Sequence, residues 1–125
     1  FSTMGSARHE RVNRVVEATA IVKAGRSDLL IDGEIQFDAA FVPHIGVSKA
    51  PDSHLGGEAN VFVFPGLESA NIGYKIAQRI GGATAIGPIL QGLARPANDL
   101  SRGCSVEDVY HLIAVTSVQA QALSA

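Results

Sequence analysis

Short apolar runs alternate with stretches of helical periodicity along this chain, and that alternation restricts the fold more than any single residue does. Ala59-Asn-Val-Phe-Val-Phe64 is rich in β-branched and aromatic residues and stops at Pro65-Gly66, as a strand would. Asp28-Leu-Leu-Ile-Asp-Gly33 reads as a short buried strand, and Ala85 to Gln91 as another, weakened by Pro88. Between them, Val12, Val15, Val16, Thr19 and Val22 share one face of a helix expected from Ala7 to Ala24 and closed by Gly25. A second helix is expected over 35–48 around Phe37, Ala40 and Phe41, with Pro43 tolerated only near a first turn. Residues 49–58 hold turn formers and read as a surface loop. Two further helices are expected, from Ser69 to Ile80 ahead of Gly81-Gly82, and from Ser105 to Ala122 with Val106, Val109, Tyr110, Ile113, Ala114 and Ser117 on one face. Strands alternating with helices imply an α/β architecture: layers around a largely parallel sheet.

Composition narrows the function classes. Ten basic against twelve acidic residues, with no basic run, lack the footprint of a nucleic-acid binder. No apolar run approaches the roughly 18 residues of a membrane span. One cysteine, Cys104, leaves no internal disulfide framework and fits a reducing, cytoplasmic compartment. The four histidines, His9, His44, His54 and His111, show no paired ligand spacing, so no metal site is expected. Phe1-Ser-Thr-Met-Gly-Ser-Ala-Arg8 resembles a strand turning into a helix rather than a signal peptide, and the chain is expected to begin inside a longer protein.

The chemistry concentrates between Gly87 and Asp108. A loop punctuated by Pro and Gly carries Ser101-Arg102-Gly103, and Ser105-Val-Glu-Asp108 has the form of a helix entry. Free amide hydrogens at a helix start, beside an arginine, favour an anion. Each residue also has an ordinary reading: Asp108 completes a capping box, Ser101 is a turn hydroxyl, Arg102 a surface cation. Cys104 is read as a packed small residue rather than a nucleophile.

Six ordered motifs run through nearly the whole chain. They are Phe1-Ser-Thr-Met-Gly-Ser-Ala7, Asp32-Gly-Glu-Ile-Gln-Phe-Asp-Ala-Ala40, Lys49-Ala-Pro-Asp52, Asn71-Ile-Gly-Tyr-Lys75, Gly87-Pro-Ile-Leu-Gln-Gly92 and Pro96-Ala-Asn-Asp-Leu-Ser-Arg-Gly103. Together they resemble the C-terminal part of the phosphate acetyltransferase (phosphotransacetylase) family, with departures at Gly66 and Ala70. The resemblance implies an isocitrate/isopropylmalate dehydrogenase-like fold. Residues 1–100 would form part of the second α/β domain, and 101–125 the active-site loop and a helix returning to a first domain not included here. It implies acetyl exchange between coenzyme A and phosphate, giving acetyl phosphate, with coenzyme A as substrate, no metal or other cofactor, and a homodimer. By motif position, Ser101, Arg102 and Asp108 match the family's catalytic serine, arginine and aspartate. Asn71 and Lys75 are candidate substrate-binding residues, although capping and solvent exposure explain them equally well. The isolated chain is expected to be inactive. An acetyl-CoA-sensing domain of the malic-enzyme type and an acyltransferase for longer acyl groups are the alternatives.

In physical terms the residue types suit the task. Acetyl transfer needs a thiolate, a polarised carbonyl and charge compensation on phosphate. Asp108 would take the thiol proton, aided if burial raises its pKa. Ser101 would donate to the carbonyl oxygen and Arg102 would hold phosphate.

Overall fold

A computed structural model describes residues 1–123. The chain divides into two compact units, 1–69 and 70–125.

In the first unit, helix α1 (Glu10–Gly25) buries Val12 and Thr19, on the face expected. It starts three residues later than the periodicity predicts: Arg11 N, which a helix begun at Ala7 would bond to the Ala7 carbonyl, donates to the His9 side chain instead, and side chains hold the residues ahead of Glu10 in a loop. Thr3 N donates to Ser6 Oγ at 2.9 Å and Ala7 N to Ser2 Oγ at 3.0 Å. Hydroxyls competing with the backbone in this way favour loops and caps over helix interiors. The same loop is tied to residues 34–36: Gly5 N donates to Glu34 Oε1, and Gln36 N to Thr3 Oγ1 at 2.9 Å. His9 caps the helix, its Nδ1 accepting from Arg11 N.

The single helix expected over 35–48 is two: α2 (Phe37–Phe41) and α3 (Pro43–Lys49). Val42 between them is extended, at φ −112° and ψ 113°. Proline disfavours helical backbone in the residue before it, and Pro43 then opens the next helix, where its missing N–H costs nothing. Ala39, Ala40, Gly46, Ala50 and Gly57 are buried here, so the interior of this part is built from small residues. A Cβ on Gly46 would lie 2.6 Å from Gly57 N and 2.7 Å from Ala39 O. Beside them Phe37, Phe41 and Phe62 cluster with ring centroids 5.0–6.0 Å apart.

The second unit holds most of helix α4 (Leu67–Arg79) and all of helix α5 (Val106–Ala122). Past α4, Gly82 takes φ +71°, and Ala83 N reaches back to Ala77 O at 3.1 Å. Both helices lie within two residues of their expected bounds, but the face that α5 buries is not the expected one. Leu112 is its buried residue, whereas Val106, Tyr110 and Ile113 of the expected face are exposed. Thr116 and Gln119, next to that face, meet the loop residue Asn98. The inward side of α5 is chosen by this tertiary contact, which periodicity cannot register.

The expected α/β class is overturned: among the described residues there is no strand, and the elements are helices joined by extended or turning connections. Segments 28–33, 59–64 and 85–91 carry the side chains of strands without the pairing. Val61 and Val63 are 76% and 88% exposed, and Ala59 N donates to Ala40 O, the end of a helix, rather than to a neighbouring strand. β-propensity records how well a side chain fits a half-buried pleated surface; a sheet also needs partners for every backbone group along the segment. No helix among the described residues is long and apolar enough to cross a membrane.

Candidate active site

Within the second unit, α4 and the loop ahead of α5 line one cleft of about 120 Å3. Tyr74, Lys75, Gln78 and Arg79 come from α4; Ser101, Gly103 and Cys104 come from the loop, and Asp108 from the first turn of α5. The spacing explains the first group, since residues four apart share a helix face, which pairs Tyr74 with Gln78 and Lys75 with Arg79. Two cations therefore face a hydroxyl, a thiol and a carboxylate.

Asp108 is fixed by a complete capping box. Ser105 N donates to Asp108 Oδ2 at 2.8 Å, and Asp108 N to Ser105 Oγ at 3.1 Å. Two backbone donors at the helix start are thereby satisfied reciprocally. The same bonds settle its acidity. The Ser105 amide and then the Ser105 hydroxyl hold the carboxyl below its ordinary 3.8, with the charges of Arg79 and His111 acting in the same direction and a smaller desolvation effect opposing. The aid that burial would lend by raising this pKa is absent, because donors to the charged form outweigh desolvation.

Ser101 is exposed at the head of a tight turn, its Oγ accepting from Gly103 N at 3.3 Å and its carbonyl from Cys104 N at 3.0 Å. Lys75 Nζ sits 4.9 Å over the Tyr74 ring and donates to the Tyr74 hydroxyl at 3.0 Å. The structure thus brings Ser101, Lys75 and Asp108 to one cleft. Arg102 is exposed in the turn beside Ser101 and Asn71 is exposed one helical turn before Lys75; neither lines the cleft. Cys104 is exposed rather than packed.

Sequence reasoning found Lys75 and missed Arg79, Tyr74 and Gln78. The signal was present in the four-residue spacing of Lys75 and Arg79, which sets two cations on one face. A larger cavity, of about 270 Å3, lies against α5 but is lined by Leu100, Val109, Leu112 and Ile113 with the neutral polar side chains of Asn98, Thr116 and Ser117 and no charged one, so the chemistry falls to the smaller cleft. Among the described residues no group of three or more His, Cys, Asp or Glu could hold a metal ion.

Known proteins give this geometry a context. The sequence model of the family described as "Phosphate acetyl/butaryl transferase" matches residues 1–117. The phosphate acetyltransferase of Bacillus subtilis is 59% identical over 120 residues, 96% of this chain and 37% of its own length. That of Paracoccus denitrificans is 58% identical over 119 residues, again 37% of its length. A solved phosphotransacetylase from Streptococcus pyogenes superposes with a TM-score of 0.91 at 59% identity, covering 98% of this chain and 37% of that one. The EutD phosphotransacetylase from Staphylococcus aureus gives 0.82 at 53% identity. The chain spans little more than a third of the length of these relatives, and across nearly all of its own length it belongs to the phosphate acetyl/butaryl transferase family.

Proposed function

We propose that this chain supplies one wall of the active site of an enzyme that exchanges an acetyl group between coenzyme A and phosphate. The convergence of Ser101, Asp108, Lys75 and Arg79 on one cleft, in a chain of this family, carries the reading. In the direction of acetyl-CoA synthesis, the coenzyme A thiol gives its proton to Asp108 as sulfur bonds to the acetyl carbon. Ser101 donates to the carbonyl oxygen while negative charge builds there. The carbon–oxygen bond to phosphate then breaks and phosphate leaves, its charge compensated by Lys75 and Arg79 in the cleft; Arg102, outside that lining in the turn beside Ser101, receives the phosphate as it departs, and Asn71 stands one helical turn before Lys75. Coenzyme A is a substrate, and no metal or resident cofactor is assigned to the reacting groups.

The lowered pKa of Asp108 shapes the first step. A carboxylate less basic than usual is ionised at neutral pH, yet it cannot strip a thiol of its proton in advance, because a thiol is several pK units less acidic. Proton removal is therefore concerted with attack. A cytoplasmic homodimer is the form of the working enzyme in this reading, which light scattering of the full-length protein tests.

The direct test replaces the matching 120 residues of the Bacillus subtilis relative with this segment. The chimera should form acetyl-CoA from acetyl phosphate and coenzyme A, and turn over butyryl phosphate more slowly; the isolated 125-residue chain should show little turnover. A folded chimera without acetyl transfer, or one faster with the butyryl substrate, overturns the proposal.

A further inference from the structure

We infer that Asn98 is a positioning residue: its side-chain amide holds the Ser101–Arg102 loop taut along α5 and so sets the loop's register against Asp108. The inference rests on the function proposed above. Asn98 Oδ1 accepts from Leu90 N at 2.8 Å, and Nδ2 donates to Thr116 Oγ1 at 2.9 Å and Gln119 Oε1 at 2.7 Å. Both amide hydrogens and the carbonyl oxygen are engaged, so the side chain has one orientation that satisfies all three partners. Thr116 is fixed in turn by donating to Leu112 O at 2.7 Å.

Two other features make this clamp decisive for the loop. Among the described residues, the remaining hydrogen bonds within 93–104 are local: Cys104 N to Ser101 O, and Gly103 N to Ser101 Oγ. Asn98 is the polar link from that stretch to α5, and Leu100 is the apolar one, sharing a cavity with Val109, Leu112 and Ile113. The chain also has little slack. Thr116 and Gln119 lie roughly 17–21 Å along the helix axis from Ser105, at about 1.5 Å per residue. Seven links of chain from Asn98 to Ser105 would reach at most about 25 Å fully extended, and the turn from Ser101 to Cys104 shortens that reach. Ser101 and Arg102 are therefore slung between the Asn98 clamp at one end and the capping box of Ser105 and Asp108 at the other. Releasing the clamp adds slack where the reacting groups must hold their distance, and displacement on the scale of 1 Å costs up to about a hundredfold in rate.

The test uses the chimera carrying this segment, with Asn98→Ala, Asn98→Asp and Thr116→Val. Asn98→Ala should lower kcat ten- to a hundredfold and change KM for coenzyme A less than threefold. Amides of 101–104 should exchange faster with solvent than in the parent. Asn98→Asp should recover part of kcat, since the introduced carboxylate still accepts from Leu90 N and the Gln119 amide turns to donate to it, while Thr116 Oγ1, whose hydrogen goes to Leu112 O, loses its donor. Thr116→Val, which removes one of the three bonds, should fall between parent and Asn98→Ala. If Asn98→Ala lowers only thermal stability while kcat per folded molecule and exchange of 101–104 stay at parental values, the inference is wrong. Should Asn98→Ala fail to fold, Asn98→Asp and Thr116→Val decide on the same readouts. A parent chimera with no acetyl transfer counts against the proposed function, and exchange at 101–104 still judges the clamp.

Discussion

The two units of this chain use polar side chains to opposite ends. In the first, Ser2, Thr3, Thr19 and Glu34 are buried, and the bonds from Gly5 to Glu34 and from Gln36 to Thr3 hold an N-terminal loop in place. In the second, Leu112 is the buried hydrophobic residue among those described, and the polar groups line an open cleft or clamp a loop. A unit that spends its hydroxyls and carboxylates on its own backbone has few left for a ligand. One with a thin interior must fix its reactive groups by a few directional bonds, so single substitutions there should act on rate before stability. That contrast can be broken by experiment.

The largest effect should come from Asp108→Asn in the chimera. The amide still accepts from Ser105 N through its carbonyl oxygen, so the helix start is kept, but it cannot take a thiol proton. Turnover should fall by about 10²–10⁴, the usual contribution of a positioned base. Retained helical content by circular dichroism with that loss supports the division; turnover within a few-fold of the parent would make Asp108 a cap and nothing more.

A stability effect of comparable weight belongs to the first unit. Gly57 has φ +77°, and a Cβ there would sit 2.6 Å from Pro43 Cα and from Val42 O. Gly57→Ala meets both strain and overpacking, and should cost about 2–5 kcal/mol. Urea unfolding of the chimera measures the loss, and hydrogen exchange locates it. Amides of α1–α3 should lose protection and those of α5 keep it; equal loss in both would mean that the two units unfold as one.

What the sequence disclosed follows the range of the interactions involved. Helices α1, α4 and α5 come from i, i+3 and i+4 patterns, and the Ser105–Asp108 box from a four-residue motif, so all were legible. Pro43 marks a break whose rule acts on its immediate neighbour. The three expected strands failed because pairing is decided by distant partners. Val61 and Val63 look the same in sequence whether paired or not. The buried side of α5 failed for a related reason: a loop residue eighteen positions before Thr116 selects it. At the site, Ser101, Arg102 and Asp108 were named through motif position and Arg79 was legible in its four-residue spacing from Lys75, whereas the clamp by Asn98 depends on partners 8, 18 and 21 positions away.

The smallest effect separates capping from chemistry most cleanly. Ser105 lies outside the cleft lining, yet its amide and hydroxyl are what depress the pKa of Asp108. Ser105→Ala removes the N-cap oxygen and should cost about 0.5–2 kcal/mol. It also lets the Asp108 carboxyl move back up toward 3.8. Because the folded-state value is depressed, the stability tied to this carboxylate is fully present above the unfolded value and lost as pH falls through the folded one. Acid unfolding of α5 should therefore shift to slightly higher pH in Ser105→Ala, within the window below about 4. Asp28, Asp32 and Asp38 of the first unit are also depressed: Asp28 by Arg26, Asp38 by Lys49, and Asp32 because bonds from Lys23, Ser53 and the Gly33 amide outweigh its desolvation. Their acid transition should not move. At neutral pH, Ser105→Ala should change turnover by less than about tenfold, since Asp108 stays ionised, the backbone amide of residue 105 still donates to it, and Asn98 still holds the other end of the loop. A loss as deep as that of Asp108→Asn would mean that the cap itself, rather than the carboxylate facing the cleft, governs the rate.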